Sequence, residues 1–409
     1  MLVRPTVLTT AAVAALVLAA CGRVSSDAAQ APVPAPAAGD CPDVVTQTLG
    51  AVAQRIYAQA AGGRNVVDAV GRLQRSPALA AAVAAGDAAA TRAALQPLLK
   101  HQITHIRIEA GSRVLVDEGA RSVMAPTAAD LHDARGRVVG HFLLTVTGPA
   151  AYAGITSRVT GAQVLVRSGT RQLAGTLDPG PATVPRSGTI TYRGASYRVL
   201  SLDGDAYPSG PLRISLLLPS AALRTCGASG AETQAATLGA VAVRLFQAER
   251  SGTRVQAALR YVTRDRAYLR ATAGTSPAAV HAAVRGTIFP RRQFHIVRVR
   301  YQRGRRAFDV GGPYALAPAS RPLPGGGTVT LAVQDDTGYI KLLSRFTGGA
   351  VVLRMGSRTV PGSSLDPGPA AIPASGVVTY AGRRYQAFGF TAQAFPSGPL
   401  RVGLFIPAA

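Results

Sequence analysis

The apolar residues Val44, Leu49, Val52, Ile56 and Tyr57 recur at spacings that gather them on one side of a helix, and the pattern runs on toward Leu73. A second, Ala-rich helical stretch covers Pro77 to Lys100. The period then drops to two. ITHIRIEAGSRVLVDEG alternates on either side of Gly111-Ser112 and predicts two paired strands. VVGHFLLTVT predicts a third strand leading into a short helix that carries Tyr152, and AQVLVR, GTITYRGASYRVLSL and PLRISLLLP predict the strands that close the unit. Helices first, then a mostly antiparallel sheet with one intervening helix, is an α+β arrangement.

The succession occurs twice. LDPGPATVPRSGTITYRGASYRVLSLDGDAYPSGPLRISLLLP from Leu177 aligns without a gap to LDPGPAAIPASGVVTYAGRRYQAFGFTAQAFPSGPLRVGLFIP from Leu365, an offset of 188. Upstream, SRVTGAQVLVRSGTR from Ser157 matches SRFTGGAVVLRMGSR from Ser344, and TLGAVAQRIY from Thr48 matches TLGAVAVRLF from Thr237. FHIVRVRYQRGRRAFDVGG repeats the first strand pair about Arg303-Gly304, and GTVTLAVQ leads into a helix carrying Tyr339. The chain is a tandem duplication, residues 41–225 and 226–409, with almost no linker. Shared positions such as Asp178, Pro179, Gly194, Pro208 and Gly210 are turn-setting types, so the duplication has kept a skeleton of turns.

The helix-to-sheet order, the element GRVVGHFLLTVTGPAAYAGITSRVTGAQVLVRSG from Gly136 to Gly169, and the closing Tyr-containing hairpin resemble the extracytoplasmic PAS-like Cache sensor domains. The resemblance covers most of each repeat. It implies two tandem Cache-like domains, each a long N-terminal helix plus a mostly antiparallel sheet of five to six strands. It also implies a pocket between sheet, short helix and loops for a small molecule of the amino acid, amine or carboxylate class. Two departures matter. The aromatic amino-acid motif of that family includes a Trp, and this sequence has none. No histidine-kinase, methyl-accepting or cyclase module follows the repeats, so the expectation is a binding protein that passes its state to a membrane signalling partner.

At the start, Arg4 precedes an apolar stretch from Val7 to Ala20 that is short for a bilayer-spanning helix. Leu18-Ala19-Ala20-Cys21 resembles the lipobox of bacterial lipoprotein signal peptides. That implies a signal peptide over 1–20, lipidation of Cys21, and a mature protein held by acyl chains on the extracytoplasmic side of the cell membrane. Residues 21–40, with Pro32, Pro34 and Pro36 among small residues, read as an extended tether.

In a chain of 409 residues, 47% hydrophobic content fills real cores and excludes wholesale disorder. Net charge is +24, from 44 basic and 20 acidic residues, and Lys occurs only at Lys100 and Lys341, so the charge is almost all guanidinium. The second repeat is the more basic, with 23 cationic and 7 acidic residues against 19 and 11 in 41–225. Arg298, Arg300, Arg303, Arg305 and Arg306 gather on one hairpin and form a candidate surface for anionic wall polymer or lipid headgroups. Aromatics are only 5%, so nucleic acid is not an expected partner.

Arg107 with Arg213, and Arg298 with Arg401, fall on the first and last strands of their repeats. Those strands are neighbours in a PAS-like sheet, so each pair is a candidate clamp for a ligand carboxylate. The competing assignment is an internal ion pair with Asp117 or Asp309. Tyr152 and Tyr339 are further candidate ligand contacts. Asp335 either caps the following helix or faces the pocket; Gly148 stands at that place in the first repeat. His101 and His105 are spaced for a metal on a helix, but the helix is read as ending at Lys100, so no metal is expected. No nucleophile elbow, phosphate loop or Cys-x-x-Cys is present, so neither an enzyme nor a cofactor is expected. Cys41 and Cys226 sit at similar points ahead of the two long helices, and a disulfide joining the repeats is expected if those helix starts lie together.

Overall fold

The computed structural model describes residues 40–99, 103–220, 226–312, 314–396 and 398–408. The segments read as signal peptide and tether, with Cys21, therefore lie almost wholly outside the described residues, as does His101. In the first repeat the helices are α1 (Cys41–Gly62), α2 (Arg64–Gln74), α3 (Pro77–Ala84) and α4 (Ala88–Leu95). The helix read as continuing to Leu73 breaks at Gly63, which has extended backbone and begins α2. The Ala-rich stretch breaks at Gly86, whose φ of +66° is open to glycine, and restarts where the Asp87 carboxylate accepts from the backbone N–H groups of Ala89 and Ala90.

The strands follow as β1 (His105–Ala110), β2 (Arg113–Gly119), β3 (Val123–Met124), β4 (Thr127–His132) and β5 (Val138–Thr145). Helix α5 (Pro149–Thr160) then leads to β6 (Gln163–Ser168), β7 (Arg171–Gly175), β8 (Ser187–Tyr192), β9 (Ala195–Tyr207) and β10 (Gly210–Pro219). Two sheets result. One has the antiparallel order β2-β1-β5-β4; the other has six strands, in the order β3-β9-β10-β6-β7 with β8 on β9. The first strands thus form a sheet of their own, not joined by strand pairing to the six-stranded one. After α5 the chain does not return to β5; β6 pairs with β10, bringing Arg213 opposite Arg167.

The second repeat has α6 (Gly230–Ser251), α7 (Thr253–Val262), α8 (Arg266–Ala273) and α9 (Pro277–Ala283). Its strands are β11 (Arg298–Arg303), β12 (Arg306–Gly311), β13 (Ala315–Leu316), β14 (Ala319–Pro322), β15 (Thr328–Ala332) and β16 (Gln334–Asp335), then, after α10 (Asp336–Thr347), β17 (Ala350–Met355), β18 (Arg358–Thr359), β19 (Ser375–Tyr380), β20 (Arg383–Phe395) and β21 (Gly398–Pro407). Its sheets repeat the plan, β12-β11-β15-β14 and β16-β13-β20-β21-β17-β18 with β19 on β20. The α+β class and the duplicated architecture read from the sequence are both present.

The described residues divide into two compact units that do not follow the repeat boundary. One comprises Tyr57–Pro149 with Gly204–Leu212. Here α2 to α4 cover the face of the four-stranded sheet that carries Ile106, Ile108, Phe142 and Leu144, all buried with Leu73, Leu79 and Leu95. Alternation puts these residues on one face, and their burial is what fixes the register.

The other unit contains α1 up to Ile56, Ala150–Asp203, and the chain from Arg213 onward. In it, the hexapeptide TLGAVA that both repeats share has a structural reason. Its last residue, Ala53 or Ala242, offers its carbonyl to the hydroxyl of Tyr152 (2.9 Å) or Tyr339 (3.0 Å), so the long helix of each repeat is pinned to its short helix at the same place. The Cys41–Cys226 disulfide is formed, with the Cα atoms 5.6 Å apart. It ties the first residue of α1 to the segment just ahead of α6.

Candidate functional site

The single sheet that the two proposed arginine clamps need is not present: strands β1 and β10 belong to different sheets, as do β11 and β21, so Arg107 and Arg213, and Arg298 and Arg401, are not on neighbouring strands. The expectation rested on a single sheet with its first and last strands adjacent. Instead β10 and β21 sit centrally in sheets of their own. Arg401 donates to the Ile372 carbonyl and the Thr391 hydroxyl, both at 3.2 Å.

Tyr152 and Tyr339 are likewise not placed as ligand contacts. Both are fully buried, and burial drives the Tyr339 hydroxyl far above its ordinary pKa, so it stays a neutral hydrogen-bond donor within the core. Asp335 is the N-cap of α10, its carboxylate accepting from the Gly338 N–H at 2.5 Å.

Arg107 takes the internal alternative. Its Nη1 donates to Asp117 Oδ2 (3.0 Å) and to the Tyr207 hydroxyl (2.8 Å), Tyr207 donates on to Asp117 (2.9 Å), and Arg107 Nε donates to Glu109 (2.6 Å). Burial works against the Arg107 charge, but the hydrogen bonds to Glu109 and Tyr207 outweigh it and raise its pKa further. His105 Nε2 stands 2.9 Å from Asp117 Oδ1, an ion-pair distance without hydrogen-bond geometry. Every charge in this cluster has a partner, which makes it a structural lock.

In the second repeat the register puts Arg298, Arg300 and Asp309 at the places of His105, Arg107 and Asp117. Arg300 grips Asp309 with two nitrogens, its Nη2 at 2.6 Å, Arg298 Nε is 3.5 Å from the same carboxylate, and both guanidiniums lie against the Phe395 ring. Two of the five arginines read as a polyanion surface are thus consumed inside the fold. Strand alternation explains the split, since 298 and 300 point to one face of β11 while Val299, Tyr301 and Arg303 point to the other.

On that other face Arg303, Arg305 and Arg306 line a cavity of about 330 Å³ together with Thr272, Ala273 and Gly274 at the end of α8. Its aromatic wall is Tyr301 stacked on Phe308, with ring centroids 6.0 Å apart. All three arginines are exposed, and among the described residues none has an ion-pair partner. The arrangement suits an anion that also presents a flat or apolar face: guanidiniums supply forked donors, and the ring pair supplies contact area. By register, the first repeat has Ile108, Ala110, Ser112, Arg113 and Val116 at the matching places, so rings and most of the charge are lost there.

No family model matches the sequence, and none of the curated proteins is similar to it. Among solved structures, the chain is similar to the periplasmic domain of Vibrio cholerae LuxQ, at 11% identity and a TM-score of 0.28, over 44% of this chain and 97% of that one. A second structure of that domain gives 12% identity and a TM-score of 0.24 over 44% and 98%. An extracellular ligand binding receptor from Desulfohalobium retbaense is similar at 14% identity and a TM-score of 0.24, over 44% of this chain and 41% of that one. Likeness at this level identifies neither a ligand nor a partner.

Proposed function

We propose that this is a non-enzymatic, lipid-anchored binding protein of the cell envelope, built from two Cache-like repeats over 41–225 and 226–409, that takes a small anionic ligand in its second repeat. The observation that carries the reading is the cavity of Arg303, Arg305 and Arg306 against Tyr301 and Phe308. Three guanidiniums without an acidic partner repel one another, and an anion relieves that repulsion. The amine class considered from the sequence fits this cavity poorly, whereas the carboxylate class fits it. Acylation of Cys21 would hold the protein at the extracytoplasmic face of the membrane, where a membrane partner would read the bound state. Among the described residues no helix is long and apolar enough to cross a membrane.

A second reading puts an anionic wall polymer or lipid headgroups on the same exposed arginines. A thermal-shift screen of the soluble protein against aromatic and aliphatic carboxylates, polyamines, and anionic polymer separates the two. A raised melting temperature with one carboxylate class, lost in Arg305→Glu/Arg306→Glu, supports the first reading. A shift with polymer alone supports the second, and a shift with polyamines alone overturns both. Cys21→Ser should leave the protein unprocessed or free it from the membrane fraction; unchanged lipid labelling would remove the anchor from the proposal.

A further inference from the structure

A second cation-lined cleft, of about 480 Å³, shares no lining residue with the Arg303 cavity. Its walls come from both repeats: Arg158 from α5, Lys341 and Arg345 from α10, and Gly252, Thr253 and Arg254 at the start of α7. All of these residues belong to one compact unit. Arg158 and Arg345 are equivalent positions, the second residues of the aligned SRVTG and SRFTG segments. The duplication has thus placed two copies of one arginine, each in the last turn of its short helix, around a single cleft.

The charge balance is what points to a ligand. Glu249 is the one acidic residue lining the cleft, and it is engaged by Arg254. Among the described residues Arg158, Lys341 and Arg345 have no ion-pair partner. Lys341 and Arg345 are also i, i+4 neighbours on α10, a like-charge spacing that disfavours the helix. Helix α7 begins at the cleft with Gly252 as N-cap and no side-chain cap, so its first N–H groups add partial positive charge. Buried Gln334 adds a neutral amide to the wall, packed so close to Gly338 that an added Cβ there would come within 2.3 Å of its nitrogen.

We infer that this cleft binds a compact phosphate-bearing anion with at least two negative charges, held between the equivalent arginines Arg158 and Arg345 with Lys341 and the α7 N-terminus completing the cradle. Guanidiniums from two different helices suit bidentate contact with tetrahedral phosphate oxygens, and the volume accommodates a small phosphorylated molecule. The site needs both repeats and is separate from the Arg303 cavity.

The test is calorimetric titration of the soluble protein with inorganic pyrophosphate at low ionic strength. Binding should weaken at least tenfold in Arg158→Glu and in Arg345→Glu, fall in the milder Lys341→Gln, and weaken far less in Arg303→Gln/Arg305→Gln/Arg306→Gln. Melting curves establish that each variant is folded, and Arg345→Lys, which keeps the charge and loses the fork, should retain partial affinity. Glycerol phosphate and phosphatidate vesicles compared side by side tell a soluble phosphate from a lipid headgroup as the source. Absence of binding to wild type, or equal loss in the Arg303 triple variant, would overturn the inference. That second outcome would leave the Arg303 cavity as the anion site.

Discussion

A Cβ added to Gly239 on α6 would lie 2.3 Å from Phe388 Cδ1 on β20, and its counterpart at Gly50 on α1 would lie 2.2 Å from Leu200 Cδ2 on β9. The long helix of each repeat therefore rests on its sheet through a glycine, which is why Gly belongs to the shared TLGAVA. Gly239→Ala should gain helix propensity but force the Phe388 ring out of place, for a net loss of about 1–3 kcal/mol. A melting temperature equal to wild type would show that the ring has room to move.

Tyr339 is a core residue, so Tyr339→Phe should cost about 1 kcal/mol, the net worth of its hydrogen bond to Ala242. Titration of the same variant with carboxylates and pyrophosphate should match wild type. A change in affinity without a change in melting temperature would return Tyr339 to the ligand contacts.

Asp336 is buried at the first turn of α10, and burial, reinforced by neighbouring Asp335, raises its pKa above the ordinary 3.8 against the pull of its hydrogen bond from the Thr337 N–H. A carboxyl whose folded pKa is raised holds its proton more tightly in the native state, so it costs stability once pH exceeds the carboxylate range and costs nothing below it. Asp336→Asn should therefore melt higher than wild type at pH 7, with the gain shrinking as pH falls toward 4. A gain that does not change with pH would assign the effect to something other than the charge.

The local elements were legible because alternation and period are local. The β1–β2 hairpin about Gly111-Ser112 and the short helices carrying Tyr152 and Tyr339 stand where the pattern put them. What was not legible is pairing at long range. Nothing in PLRISLLLP says that it joins AQVLVR in a sheet apart from ITHIRIEA, and the expected arginine clamps assumed that first and last strands were neighbours. The fate of Arg298 and Arg300 depended on the register that sets Asp309 opposite Arg300. Arg158 and Arg345 stand at matched places in the repeated SRVTG and SRFTG segments, yet nothing in the sequence marks them as lining one cleft. Equivalence between copies marks residues that meet only if the copies face each other, and no local pattern carries that.

Asp309 is shared by two guanidiniums and is itself only partly exposed. Asp309→Asn should leave Arg298 and Arg300 underpaired beside Phe395 and destabilise the protein by about 1–3 kcal/mol, less than a fully buried pair because water reaches the site. The loss should shrink at high salt, where repulsion between the freed cations is screened. A loss independent of salt would mean that hydrogen-bond geometry, not charge, is what Asp309 supplies.

The Cys41–Cys226 bridge closes a loop of 185 residues, so opening it should matter chiefly through the unfolded chain, which regains the freedom that the cross-link removes. The chain-entropy model assigns slightly over ~5 kcal/mol to a loop of that length, and practical values fall within about 2–5. The bond also holds the starts of α1 and α6 together, and with them the two repeats. Cys41→Ala/Cys226→Ala, which leaves no stray thiol, should melt several degrees lower than oxidised wild type, and reductant should lower wild type to the same point without affecting the variant. Non-reducing peptide mass spectrometry should recover the linked pair. Since Arg158 and Arg345 come from different repeats, the double variant should also bind pyrophosphate more weakly at temperatures where it is still folded. Unaltered pyrophosphate affinity would show that the packing of α1, α5, α6 and α10 holds the repeats in place without the covalent tie.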